Sequence, residues 1–166
     1  ICVSGTFHNI FSIAQILKEL NFKTLNIITW QKTNPPPNFS TRSFTHSTEI
    51  LIWARKDIKT PHHFNYQLMK QFNDNKQMTD VWRLPAIAPW EKKNKKHITQ
   101  KPLSVLSRIV LASTKKGDLV FDPFAGSGTV GKTSKSLNRF FFLTEKDPTY
   151  FEFMKSQKSN KTRNAN

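Results

Sequence analysis

The sequence predicts an α/β fold, a mostly parallel sheet covered by helices, on three observations. Short apolar and β-branched runs at Ile1–Ser4, Leu25–Trp30, Glu49–Ala54, Leu119–Phe121 and Arg139–Thr144 have the length and composition of strands. Segments with apolar residues at helical spacing lie between several of them. A glycine pair, Gly126 and Gly128, sits where one strand gives way to a helix. Strands alternating with helices bury both faces of a parallel sheet, because each crossover lays a helix on one face.

Taken in order, Ile1–Ser4 is a short strand ending at Gly5. Asn9 is placed to cap a helix whose apolar face is Ile10, Ile13, Ile16, Leu17 and Leu20, and Asn21 ends it. Leu25–Trp30 is the next strand, stopped by Pro35-Pro36-Pro37, and Glu49–Ala54 is the third. From Asp57 to Lys96 polar and aromatic residues mix without a period, which reads as an irregular insert. Pro102, with its fixed φ, suits the start of a helix carrying Leu103, Leu106, Ile109, Val110 and Leu111 up to Lys115-Lys116-Gly117. Strand Leu119–Phe121, the glycine turn, helix Thr129–Leu137 and strand Arg139–Thr144 follow. The expected organisation is sheet elements over 1–56, the insert over 57–96, the glycine-turn part of the same domain over 97–153, and a basic disordered tail over 154–166.

Length and charge narrow the function classes. A chain of 166 residues has the size of one domain. With 26 Lys and Arg against 11 Asp and Glu, its formal charge of +15 attracts polyanions, nucleic acid first among them. The terminal Lys155, Lys158, Lys161 and Arg163 account for only part of the surplus, and Lys92, Lys93, Lys95 and Lys96 form a run inside the chain. The single Cys2 cannot form an internal disulfide, so a cytoplasmic location is expected. No apolar run approaches the ~20 residues of a membrane span, so no membrane partner is expected. His8, His46, His62, His63 and His97 have no Cys or acidic companion at ligand spacing, so no metal site is expected. The chain opens in an apolar stretch without Met, as though inside a fold.

Asp122-Pro123-Phe124-Ala125-Gly126-Ser127-Gly128-Thr129 lies between strand and helix, where glycines admit a ligand close to the backbone. A plain tight turn needing φ above zero is the simpler reading. Glu145 favours the ligand, because a carboxylate at the end of the next strand is placed to grip ribose hydroxyls. Gly126 to Thr133 also satisfies the phosphate-loop spacing G-x-x-x-x-G-K-[ST]. Against that reading, four residues separate the strand from the first glycine, too little chain follows for the remaining sheet, and no magnesium-binding acid is in place.

At this point the sequence resembles the β-group DNA amino-methyltransferases of restriction-modification systems. Asp122 to Thr129 looks like that family's cofactor motif, and His97-Ile98-Thr99-Gln100-Lys101-Pro102-Leu103 with Arg108 looks like the motif that faces the methionine end. Upstream, Gly5–Ile10, Ile28–Phe39, Phe44–Glu49 and Trp53–Lys56 resemble the subgroup that methylates adenine at N6. The resemblance runs from Ile1 to about Phe153 and implies a Rossmann-like methyltransferase sheet in circularly permuted order, with a target-recognition insert. It implies S-adenosylmethionine as cofactor. Phe124 would line the adenine pocket, the amides around Gly126, Ser127 and Gly128 would hold the cofactor's amino-acid portion, Glu145 would take the ribose, and Thr99 and Lys101 would face the carboxylate end; Gln100, Asp122, Ala125 and Thr129 belong to the same implied cofactor site.

The catalytic tetrapeptide of that family, of Asp-Pro-Pro-Tyr type, is absent from the sequence and is expected upstream of Ile1. Asn34-Pro35-Pro36-Pro37 is similar but has Pro37 where the stacking aromatic belongs, with Phe39 the nearest substitute. In the family the strand bearing that loop lies between the strands represented by Leu119–Phe121 and Ile1–Ser4, so the chain alone is expected to be unstable or inactive. The implied partners are double-stranded DNA and either a cognate restriction endonuclease or a complementing N-terminal segment. DNA contacts are expected from Lys32, Asn34, Arg42, His46, Arg83, Lys92 and Lys93. The aromatics Phe64, Tyr66, Phe72, Trp82 and Trp90 fit either base stacking or a small core. An N4-cytosine enzyme, a non-catalytic remnant and one half of a split enzyme stay open as alternatives.

Overall fold

The computed structural model describes residues 1–87 and 100–159, the last three by backbone alone. The chain forms two compact units, Ile1–Ala86 and Ile87–Asn166.

The first unit is a four-stranded sheet in the order β1-β3-β2-β4, where β1 is Cys2–Gly5, β2 Lys23–Lys32, β3 Thr48–Arg55 and β4 Val81–Leu84. Helix α1, Ile10–Glu19, packs Ile10 and Leu17 on Ile52, with Ile13, Ala14, Phe22 and Ile50 around them. Asn9 occupies the cap position but makes no side-chain cap bond. Ile16 and Leu20, expected on the buried face, are more than half exposed; the stripe runs through Ala14 instead. Asn21 ends the helix with φ 59°. The other face carries Ile28 opposite Leu51 and Trp30 beside Trp82, all four buried.

The expectation of a mostly parallel sheet fails in this unit. β3 runs antiparallel to both β1 and β2, and only β4 joins β2 in parallel. The physical reason is the connection: no helix lies between β2 and β3, and a strand returning without a crossover pairs antiparallel. The insert is also less irregular than expected. It contains α2, Tyr66–Gln71, capped by the Asn65 side chain and burying Met69, and the strand β4. Trp82 of β4 is core, and its indole N–H donates to the Thr79 carbonyl.

The second unit pairs β5, Leu119–Asp122, in parallel with β6, Phe140–Leu143. Helix α3, Leu103–Ser113, follows Pro102 and buries Val105, Val110 and Ala112. Helix α4, Thr129–Ser136, lies on the sheet so closely that a Cβ on Gly131 would stand 2.7 Å from Leu143 and 3.0 Å from Phe141. Buried Arg139 ties the turns together, donating to the Thr114 hydroxyl and carbonyl and to the Leu137 carbonyl. Helix α5, Pro148–Ser159, extends over 154–159, the first part of the stretch expected to be a disordered tail. Strands β1 and β5 each stand at a sheet edge. Among the described residues no helix is long and apolar enough to cross a membrane.

Candidate functional site

The glycine turn emerges from the carboxyl end of β5 and feeds α4, as the sequence predicts. Asp122, the last residue of β5, accepts the Phe124 N–H at 3.0 Å, which bends the chain outward at once. Phe124 is left 87% exposed. Gly126 and Gly128 have φ of 51° and 72°, the left-handed region where a Cβ is penalised. A Cβ on Gly128 would also stand 2.9 Å from Met154 of α5. Ala125 to Thr129 are all buried, with the Ser127 and Thr129 hydroxyls 2.8 Å apart.

Glu145, just beyond β6, reaches back to this turn. One carboxylate oxygen accepts the Gly126 N–H at 2.7 Å and the other accepts the Asp147 N–H at 2.9 Å. The side chain is thereby fixed in orientation, and each oxygen keeps a lone pair for a further donor. Burial pushes the Asp122 carboxyl above its ordinary pKa; the Phe124 N–H partly offsets the rise, and the neighbouring Glu145 charge adds to it. The end of the β5–β6 pair is therefore acidic within a chain of charge +15.

These facts decide between the two ligand readings. Gly131, Lys132 and Thr133 of the phosphate-loop spacing lie inside α4, and Thr133, 1% exposed, donates its hydroxyl to the Thr129 carbonyl at 2.9 Å. That hydroxyl cannot serve a metal-bound phosphate. Two adjacent carboxyl groups repel a phosphate chain and suit a ligand that offers hydroxyl or cationic donors. The turn's amides are less available than its glycines suggest. Ala125 N–H bonds Thr144 and Gly128 N–H bonds Ala125, besides the Gly126 bond to Glu145. The turn thus offers shape and a carboxylate more than a ring of free donors.

Asp122, Phe124, Ala125, Gly126, Ser127, Gly128, Thr129 and Glu145 come together as expected from the sequence. Gln100 and Lys101 lie partly buried ahead of α3, and Thr99 falls outside the described residues. Met154 was missed. Its signal was the apolar Tyr150, Phe153 and Met154 at helical spacing, hidden next to a basic stretch.

The expected DNA-contacting residues divide. Lys92 and Lys93 lie outside the described residues. The Lys32 ammonium is 2.7 Å from Glu49 and 5.3 Å from the centre of the Trp30 ring, so it braces the sheet. Asn34 accepts the Ala86 N–H at 2.8 Å. His46 stacks on Phe7 with ring centres 4.6 Å apart. Arg42 and Arg83 are exposed. Among the described residues no group of three or more His, Cys, Asp or Glu is placed to hold a metal.

The fold, the glycine turn and its carboxylate agree with what comparison of the whole chain shows: it belongs to the N6_N4_Mtase family of DNA methylases, which matches residues 1–156. It is 58% identical over 155 residues to the Type II methyltransferase M2.MboI of Moraxella bovis, covering 93% of this chain and 57% of that protein. Against M2.DpnII of Streptococcus pneumoniae it is 51% identical over 156 residues, covering 93% and 58%. The chain thus spans somewhat over half the length of these relatives. Its structure resembles that of M1.HpyAVI crystallised as a complex with SAM, at 32% identity and a TM-score of 0.77, covering 94% of this chain and 73% of that one.

Proposed function

We propose that this chain is the cofactor-binding and DNA-contacting part of an enzyme that transfers a methyl group from S-adenosylmethionine to adenine N6 in double-stranded DNA. The observation that carries the reading is the Glu145 carboxylate, fixed by the Gly126 and Asp147 amides at the end of β6. When bound, S-adenosylmethionine supplies an electrophilic methyl group on a sulfonium centre. The residues present suit it: left-handed glycines at 126 and 128 give the turn its tight shape, and exposed Phe124 offers a ring for the adenine. Glu145 orients the ribose through its remaining lone pairs, while Gln100 and Lys101 face the methionine carboxylate. The acidic Asp122 and Glu145 pair favours the cationic ligand over the neutral product left once the methyl is gone.

Adenine rather than cytosine is favoured by the upstream segments Gly5–Ile10, Ile28–Phe39 and Phe44–Glu49, which resemble the N6 subgroup. The stacking aromatic and the acceptor of the target amine belong to a catalytic loop outside these residues, on a complementing segment. A restriction endonuclease of the same specificity is the functional partner, and the enzyme works in the cytoplasm. The test is to incubate the full native polypeptide with labelled S-adenosylmethionine and mixed-sequence DNA, digest the DNA, and identify the labelled nucleoside. N6-methyladenine is expected; N4-methylcytosine, or no label in DNA, overturns the reading.

A further inference from the structure

Two aromatic side chains of the first unit stand almost wholly in solvent. Phe39 is 89% exposed and Phe44 95%, both on the loop between β2 and β3. Exposing two phenyl rings to water is unfavourable, and a loop does it without gain only when it is loose. This loop is tied down. At its base the Asn34 side chain accepts the Ala86 N–H, the Thr33 N–H reaches the Leu84 carbonyl at 3.3 Å, and the Lys32 N–H reaches the Ser47 carbonyl at 2.7 Å. Pro35, Pro36 and Pro37 stiffen the outgoing limb, and His46 on Phe7 anchors the returning one.

The tip is closed from within. The Asn38 amide donates to both the carbonyl and the hydroxyl of Ser43 at 2.8 Å, and its oxygen accepts the Ser40 N–H at 2.9 Å. Phe39 follows Asn38 and Phe44 follows Ser43, so one ring emerges beside each end of this cross-link. Exposed Arg42 lies between them, and no acidic residue occurs from Leu20 to Thr48. Exposed rings on a fixed stalk, with a guanidinium and no negative charge, match a polyanion that also presents flat apolar faces. DNA bases on their phosphate backbone are that ligand.

We infer that Phe39 and Phe44 enter the DNA base stack as a preorganised aromatic wedge, while Arg42 holds the adjoining phosphate. The inference rests on the DNA-methylating reading and deepens it, by assigning base contact to a loop of the first unit. Preorganisation matters because a wedge already ordered loses little entropy on insertion. Stacking also sets the chemistry of tolerated replacements: a tyrosine keeps the flat face and a leucine does not.

The test measures binding of fluorescent duplex DNA to the full native polypeptide, as affinity against salt concentration, for the unaltered protein and for Phe39→Leu, Phe44→Leu, the corresponding Tyr variants, and Arg42→Ala. Each Leu variant is expected to lose about tenfold in affinity, the scale of one base–aromatic stack, with the salt slope unchanged. The Tyr variants should bind as the unaltered protein does. Arg42→Ala should lower the slope by about one released counterion. Photo-crosslinking to 5-iodouracil-substituted DNA should label the Phe39 or Phe44 peptide. If the unaltered protein fails to bind DNA, the underlying reading falls and the wedge with it. If it binds, yet the Leu variants match it and the peptide stays unlabelled, the wedge alone is overturned. Loss of self-association or of polypeptide binding in the Leu variants, with DNA affinity intact, overturns it too.

Discussion

The two sheets of this chain are built to different degrees of completeness. In the first unit both faces are covered: Ile10, Leu17 and Ile52 fill one side, and Ile28, Trp30, Leu51 and Trp82 the other. In the second unit α4 covers one face of the β5–β6 pair, while Leu119, Phe121, Phe140 and Phe142 remain more than half exposed on the other. Parallel register places Leu119 beside Phe140 and Phe121 beside Phe142, so the four form one apolar surface. Stability in the first unit comes from apolar burial. In the second, the buried Val105, Val110 and Ala112 of α3 are joined by close helix–sheet contact at Gly131 and by the Arg139 hydrogen bonds, and it is this unit that carries the glycine turn.

Substitutions sharpen the contrast. The largest loss is expected in the first unit, where Trp82→Ala should cost about 3–5 kcal/mol in denaturant unfolding. A loss below about 1 kcal/mol would mean that β4 is peripheral to its core. In the second unit Arg139→Met keeps apolar bulk but strands the part-buried Thr114 and Leu137 carbonyls, at about 1–3 kcal/mol in total. An unchanged melting temperature would remove Arg139 from the list of supports.

A smaller effect is expected at Asp122, and it depends on pH. Because burial raises the folded-state pKa of this carboxyl, the folded chain binds more protons than the unfolded one between the two values. Stability from this group is full below the unfolded pKa, about 4, and falls as pH rises through the raised folded value. Asp122→Asn, which keeps the acceptor for Phe124, should therefore melt higher than the unaltered chain at pH 7 and show no advantage near pH 3. A constant difference across that range would contradict the burial account. The smallest effect belongs to the bare face: Leu119→Thr should change stability by no more than about 0.5 kcal/mol and lower the binding of a hydrophobic dye.

The same contrast explains what the sequence revealed. The glycine turn was legible because a turn between strand and helix has a local physical cause, and the structure brings Glu145, just beyond the next strand, back onto it. The one-sided exposure of Phe140-Phe141-Phe142 was not, since three identical residues carry no alternation from which to read inside and outside. Strand β4 escaped because four residues amid polar sequence form a strand only through pairing with distant β2. The antiparallel β3 was readable in principle: the proline-rich segment before it holds no helical pattern, and parallel returns are usually made through a crossover helix. Ile16 and Leu20 fit the helical period equally well, and only packing chose Ala14 over them.

The central claim is that Glu145, held by the Gly126 amide, gives the turn its affinity for S-adenosylmethionine. Titration calorimetry of the full native polypeptide with that compound tests it most directly. The unaltered protein should take up one equivalent, and Glu145→Ala should bind about 10-fold to 100-fold more weakly, the scale of hydrogen bonds to a charged group. Uptake undiminished by the substitution, or none by the unaltered protein, would contradict the account.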